Sequence, residues 1–259
     1  MKQKSRYLLK GLGLVGIALV LLLAGPVLML ASPQVDLDGH WATADRSPVG
    51  LAPAPDQVFE AVVQVYAVRA FKWRGAFGVH TWIATKAEGA SSYVLHEVTR
   101  WYSSTSMVSR SPDRAWFGNS PWLLADYRGD IATRMIPRIS AAAADYPFAE
   151  DYAIWPGPNS NTFTAWVVRE VPELRVHLPP TAVGKDFLSM GFFAPVPSGS
   201  GYQLSFGGAF GVLIALEEGI EFNLLGLTLG VDLAHPALKL PGIGRLGLDQ
   251  PVSGNAVVQ

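Results

Sequence analysis

The stretch YAIWPGPNSNTFTAWVVREVPE, from Tyr152 to Glu173, predicts a rigid loop that leads directly into a buried helix. Proline disfavours helical backbone at the residue before it, so the helix begins after Pro158. Asn159 or Ser160 suits the N-cap, because a short side-chain oxygen accepts hydrogen bonds from the free amides of the first turn. The apolar side chains that follow recur at the spacing of one helical face: Phe163, Trp166, Val167 and Val171. Pro172 ends the run.

Ser160 lies, in this prediction, at the mouth of the helix, where unpaired backbone N–H groups and the positive end of the helix dipole face outward. That position suits a nucleophile with a ready oxyanion site. The residues that would shape such a site are Tyr152, Trp155, Asn159 and Asn161. The position also suits a plain helix cap, which is the commoner explanation of Asn-Ser-Asn after proline. In that case the aromatic residues only pack the loop.

The composition excludes several classes of protein. The chain has 259 residues and a formal net charge of −1, without a basic tract for nucleic acid or an acidic tail. Because there is no cysteine, disulfides, thiolate zinc sites and CxxC redox pairs are excluded. The histidines lack the spacing of metal ligands, so we predict neither a metal site nor a cofactor.

The N-terminal segment predicts a membrane helix. Only basic charges precede an uncharged run from Gly11 to Ala31, which is long enough for a bilayer core of about 30 Å. The positive flank places the following chain across the membrane from the cytoplasm. A cleaved signal peptide has the same charge layout but a shorter apolar core, with a possible cleavage site at Leu30-Ala31-Ser32. The length favours an uncleaved anchor.

The middle of the chain predicts an antiparallel sheet. Two strands flank a turn between Val58 and Lys86, and His80 lies on the second of them. A third strand, Ser91 to Trp101, carries His96 and Glu97. These two side chains face opposite ways because residues alternate along a strand, so only one of them can face His80.

Later segments carry less specific signals. Trp116 to Tyr127 is aromatic and predicts irregular structure, whereas Asp130 to Ala144 is helical in composition. Lys185 and Asp186 are expected to form an exposed pair on a short helix.

The C-terminal region is punctuated by glycine and proline. Ala209 to Leu216 and Ile220 to Gly230 predict two strands of an apolar hairpin, and Leu238 to Leu248 predicts coil. Clustered glutamates at the hairpin's centre argue against a second transmembrane helix. The hairpin either packs on the sheet or presents an apolar patch to a membrane or a partner.

Two motifs resemble those of the permuted papain-like proteins, which include NlpC-type peptidases and the lecithin:retinol acyltransferase-like enzymes. The string GVHTWI around His80 resembles their histidine-bearing strand, and PNSNTF around Ser160 resembles their Asn-Cys-x-x-Phe nucleophile motif. The order along the chain agrees. The longer strings GVHTWIATK, WPGPNSNTF and LKLPGIGRLG also resemble an uncharacterised family of bacterial envelope proteins, the domain of unknown function 3750.

The resemblance implies roles for particular residues. Ser160 stands where the papain-like motif has cysteine, and a serine hydroxyl needs a base to remove its proton during attack. His80 would be that base. His96, in the place of a second histidine on the next strand, or Glu97 would orient it. The backbone N–H of Ser160 and a neighbouring donor would hold the oxyanion.

These observations predict an α+β fold, a permuted papain-like domain behind one N-terminal transmembrane helix. The expected divisions are an anchor or signal at 1–31, a linker at 32–57, the core at 58–194 and a β-hairpin extension at 195–259. The expected location is the bacterial inner membrane, with the soluble part extracytoplasmic, or exported if the N-terminal segment is cleaved.

Two functions remain open at this point. One is a Ser/His-dependent amide or ester hydrolase or acyltransferase that acts on cell-wall peptides or lipids. The other is a catalytically inactive binding or scaffold module at the membrane. The expected partners are the membrane and a lipid or peptidoglycan ligand, and no nucleic acid is expected.

Overall fold

A computed structural model describes residues 2–101, 105–109 and 111–255 of the chain. It is an α+β fold that combines two sheets with few helices. The helices are α1 Lys2–Leu30, α2 Asp130–Ala144 and α3 Ser160–Glu170, with 3₁₀ turns at Lys72–Ala76 and Pro172–Leu174. The predicted bounds of α2 and the predicted start of α3 are therefore confirmed.

The strands are short and follow one another closely along the chain. In chain order they are β1 Val62–Arg69, β2 Val79–Lys86, β3 Tyr93–His96, β4 Ser106–Ser109, β5 Trp122–Arg128, β6 Phe193–Pro195, β7 Gly201–Phe206, β8 Phe210–Ala215, β9 Gly219–Leu224, β10 Leu227–Asp232, β11 Ala237–Leu240, β12 Gly244–Gly247 and β13 Ser253–Gly254.

The first sheet has the order β13-β5-β1-β2-β3-β4. Its centre is β1 and β2, which are buried almost throughout and pair antiparallel from Val62 opposite Lys86 to Arg69 opposite Val79. Their β-branched side chains suit a pleated, buried surface. One face packs against α2 and α3 around Ile83 and Phe163. The opposite face holds a smaller aromatic cluster around Tyr66, Trp82 and Tyr93.

The first sheet differs from the sequence prediction in two strands. The third strand ends at His96 instead of Trp101, and the Glu97 N–H still donates to the Thr105 carbonyl, one position beyond the last β3–β4 pair. The segment Trp116 to Tyr127, expected to be irregular, contains most of β5. That strand pairs with β1 across an irregularity between Val65 and Tyr66.

The second sheet is an antiparallel meander with the order β12-β11-β10-β9-β8-β7-β6. The first strand of the predicted hairpin is present as β8, but the predicted strand Ile220 to Gly230 is wrong, because the chain turns at Leu225 and Gly226 and forms two paired strands, β9 and β10. Leu238 to Leu248 was predicted as coil, and this was wrong, because β11 and β12 pair there. Their turn contains Gly242 with φ of +69°, a backbone conformation that favours glycine. The predicted division of the chain at residue 195 stays a prediction.

The last turns of α1 pack against the rest of the chain. Leu22 and Met29 are buried, whereas most other described apolar side chains of the helix are exposed. Gly25 permits this contact, because a Cβ there would lie 2.0 Å from the Pro241 carbonyl oxygen. The segment Lys10–Leu30, with a mean hydropathy of 2.6, is long and apolar enough to cross a membrane, a test that signal sequences also pass.

Candidate functional site

The start of α3 is fixed by a capping box. The Asn159 side chain accepts from the backbone N–H groups of Asn161 and Thr162, and the Thr162 hydroxyl accepts from the Asn159 N–H in return. The Asn159 amide also donates to the carbonyls of Ile154 and Val183. Asn159 is therefore the cap, and Ser160 is the first residue of the helix.

Asn161 joins α3 to β2 on either side of His80. Its amide nitrogen donates to the Val79 carbonyl at 2.9 Å, and its amide oxygen accepts from the Thr81 hydroxyl at 3.0 Å. Because β3 pairs with β2 only from Ile83 onward, this part of the β2 edge is free of β3. The N-terminus of α3, with Ser160, thus lies at a gap between β2 and β3.

His80 is held by a buried carboxylate. Its Nε2 lies 3.2 Å from a carboxylate oxygen of Glu97, whose other oxygen accepts from Arg114 at 2.6 Å. Burial raises the pKa of Glu97, but the hydrogen bond from His80 and the charge of Arg114 outweigh it, so that the pKa lies below its usual value. A hydrogen bond at Nε2 leaves Nδ1 as the nitrogen available to accept a proton.

Of the two predicted orienters, the structure brings Glu97 to His80 and places His96 elsewhere. His96 pairs opposite Ile83, so its side chain lies on the other face of the sheet. There its ring contacts the hydroxyls of Thr85 at 3.0 Å and Ser106 at 2.9 Å. Burial lowers the pKa of His96 to about 4, so the ring stays neutral near pH 7. His96 is therefore not the residue that orients His80.

Tyr152 and Trp155 occupy different places in the loop before α3. The side chain and the backbone N–H of Ser160 are close enough to the Tyr152 hydroxyl to influence its pKa. Burial raises the pKa of Tyr152, these two groups lower it in part, and the charge of Glu97 is close enough to raise it. Trp155 donates to the Leu225 carbonyl at 2.8 Å and ties the loop to the second sheet.

Aromatic rings enclose the imidazole of His80. The Trp116 ring stacks on it with 3.9 Å between centroids, and Trp82 lies 5.6 Å away. His80 is 5 % exposed and Ser160 is 3 % exposed. Among the described residues, no hydrogen bond joins the Ser160 hydroxyl to the His80 ring, and α3 packs on the face of β2 opposite to the one that carries His80. Contact between the two side chains therefore requires passage around the part of the β2 edge that β3 does not cover, where the Val79 N–H donates to the Thr181 carbonyl.

One cavity among the described residues lies away from Ser160. It has a volume of about 260 Å³ and is lined by residues that include Arg69, Trp122, His177 and Gln250. In the described part of the chain, no group of three or more His, Asp or Glu side chains is arranged to hold a metal ion.

The part of the chain that contains these residues is similar to one protein family. Residues 60–187 match the family described as Protein of unknown function (DUF3750). The matched range begins just before β1 and ends after α3, so it contains Ser160, His80, Glu97 and Arg114. No curated protein and no solved structure matches the chain.

Sequence reasoning missed two residues of this arrangement. Arg114 holds Glu97, and Trp116 covers His80. They are two positions apart, with the buried Ala115 between them. This alternation, typical of extended backbone, is the only local signal that places both side chains on one side of the chain.

Proposed function

We propose that the chain is a serine-dependent amide or ester hydrolase or acyltransferase with a papain-like site. The observation that carries the proposal is the buried pairing of His80 Nε2 with Glu97, which is itself held by Arg114. A base that is oriented by a carboxylate is what a serine nucleophile requires. The substrates would be carbonyl groups of cell-wall peptides or lipids at the extracytoplasmic surface of the membrane.

Each residue would have one task in the reaction. The Ser160 hydroxyl attacks the carbonyl carbon, and Nδ1 of His80 accepts the hydroxyl proton. Glu97 stabilises the imidazolium that forms, and His80 then gives the proton to the leaving group. Water, or an acceptor alcohol or amine, then attacks the acyl group on Ser160 with the same proton transfers and releases it.

The hydrogen-bond donors available to an oxyanion differ from the free N–H groups of an ordinary helix N-terminus. The N–H groups of Asn161 and Thr162 are occupied by the Asn159 side chain. The donors for an oxyanion would be the backbone N–H of Ser160, once it is released from the Tyr152 oxygen, and the hydroxyl of Tyr152. Tyr152 would therefore supply the second hydrogen bond to the oxyanion.

Activity-based labelling tests this proposal. We expect a fluorophosphonate probe to label the full chain in its membrane, and Ser160→Ala to abolish the labelling. Ser198→Ala is the matched control, because the Ser198 hydroxyl donates to a carboxylate oxygen of Glu218 at 2.6 Å and would lose that hydrogen bond. Labelling that is equal in the native chain and in Ser160→Ala would remove Ser160 as the nucleophile.

The enclosure of the site favours a second function, a non-catalytic binding or scaffold module. Trp116 covers His80, and the Ser160 hydroxyl has no hydrogen bond to the His80 ring within the described residues. On this alternative, Ser160 is a first-turn residue and the Glu97–Arg114 pair is structural. A folded native chain that the probe never labels would support it.

A further inference from the structure

The second sheet has its apolar face outward. The cross-strand register aligns apolar residues in three rows across that face. The rows are Pro195, Tyr202, Ile214, Ile220, Val231, Leu238 and Leu246; then Phe193, Leu204, Val212, Phe222 and Leu229; then Phe206, Phe210, Leu224 and Leu227. Every one of these residues is exposed or partly exposed, and none is charged. We call this surface the outer face.

The inner face of the same sheet is polar and buried. Glu221 accepts from Lys185 at 2.6 Å and from Lys239 at 2.5 Å, and Lys185 also donates to Asp186 at 3.1 Å. Asn223 donates to the other Asp186 oxygen at 3.0 Å. Lys185 and Asp186, expected as an exposed pair, are thus buried, because partners from distant strands neutralise them. A sheet in water normally packs its apolar face and exposes its polar one.

The exposed apolar area is large for a protein surrounded by water. Five aromatic side chains of the outer face are each about half exposed: Phe193, Tyr202, Phe206, Phe210 and Phe222. Since an aromatic side chain offers about 150–250 Å², these five alone expose roughly 500 Å². The largest apolar patch on a typical soluble monomer is about 300–600 Å² in total, and larger patches mark interaction surfaces.

The end of α1 lies beside the second sheet. Gly25 and Pro26 pack on Pro241 and Gly242, in the turn that directly follows β11 of the second sheet. At a rise of about 1.5 Å per residue, Gly25 lies about 7 Å before the end of α1 at Leu30. A bilayer that contains the apolar segment of α1 therefore reaches the edge of the second sheet. The same packing supports retention of α1 as an anchor.

The 3₁₀ turn at Lys72–Ala76 has the side chains expected at a membrane surface. This turn packs against α1, and Ala76 shares a buried cluster with Met29 and Val35. It exposes Trp73 between Lys72 and Arg74. Tryptophan beside basic residues is typical of the boundary between lipid headgroups and acyl chains.

We propose that the outer face lies on the same bilayer that α1 enters, with its side chains among the headgroups and the upper acyl chains. Docking onto this bilayer removes the exposed apolar area from water and gives the chain a second contact with the membrane besides α1. The proposal does not depend on Ser160, so it stands or falls separately from the proposed hydrolase activity.

Spin labelling of the full chain tests the docking, since the native sequence contains no cysteine. A nitroxide is attached at Ile214→Cys on the outer face, and at Ser140→Cys on the exposed side of α2 as the control. The chain is placed one copy per phospholipid nanodisc. We expect the label at 214 to lose accessibility to a water-soluble nickel chelate and to gain collisions with oxygen. The label at 140 should remain accessible to the chelate.

Two results would overturn the proposal. One is a label at 214 that is as accessible to the chelate as the label at 140. The other is a label at 214 that is shielded only in discs with two copies and shows dipolar coupling there, which would identify a second copy as the covering surface. Ile214 is 61 % exposed, so the cysteine should leave folding intact, and a melting curve checks this.

Discussion

Replacing Glu97 by glutamine should slow fluorophosphonate labelling of Ser160 on the order of 10²–10⁴-fold. Glutamine keeps the shape of the side chain, but it cannot stabilise the positive charge that develops on His80 during attack. It also presents an N–H group that can hold the imidazole in the wrong tautomer. The rate of labelling, compared with the melting temperature of the same sample, separates this effect from unfolding.

His96→Gln is the matched control for that variant. The two residues are neighbours in sequence, both are buried, and they lie on opposite faces of the sheet. His96→Gln should alter stability through its contacts with Thr85 and Ser106 and leave the labelling rate of the folded chain unchanged. If His96→Gln slows labelling and Glu97→Gln does not, Glu97 does not position the base.

Replacing Glu221 by glutamine should lower the free energy of unfolding by about 3–5 kcal/mol, because it removes the carboxylate that two buried ammonium groups share and leaves only Asp186 beside Lys185. For a chain of this size, that corresponds to a drop in melting temperature of roughly 10 °C. Burial raises the pKa of Glu221, but the charges of Lys185 and Lys239 outweigh it and lower the pKa overall. The carboxylate is therefore ionised near neutral pH and holds both lysines.

Glu217→Gln controls for the loss of a negative charge on the same hairpin. The Glu217 side chain is 46 % exposed and pairs with His177, so its replacement should change stability by no more than about 0.5 kcal/mol. Melting curves of the two variants in the same nanodiscs provide the comparison. Equal shifts would mean that the buried network beneath the second sheet is not a stabilising element.

Much of the first sheet and of α3 could be predicted from local patterns. The start of the helix could be predicted from Pro-Asn-Ser-Asn, because both the proline effect and the cap act within a few residues. Alternation along β3 correctly implied that only one of His96 and Glu97 could face His80. Which of the two does so depends on the pairing register with β2, a long-range property that the strand itself does not carry.

The second sheet shows where local patterns give no answer. Alternation separates Glu221 and Asn223 from Phe222 and Leu224, but it does not say which set faces outward. The usual assumption places apolar residues inside, and the structure has the reverse. The buried polar face depends on Lys185, which comes from another part of the chain.

The alkylation of a Ser160→Cys variant as a function of pH tests most directly whether Ser160 and His80 act together. The variant has a single thiol, because the native chain contains no cysteine. We predict an inflection below about pH 7.5, since a thiol at a helix N-terminus beside an imidazolium ionises readily. Adding His80→Gln should move it up toward the ordinary thiol pKa of about 8.5. An inflection near pH 8.5 in both variants, or no alkylation of the folded chain, would contradict the catalytic site.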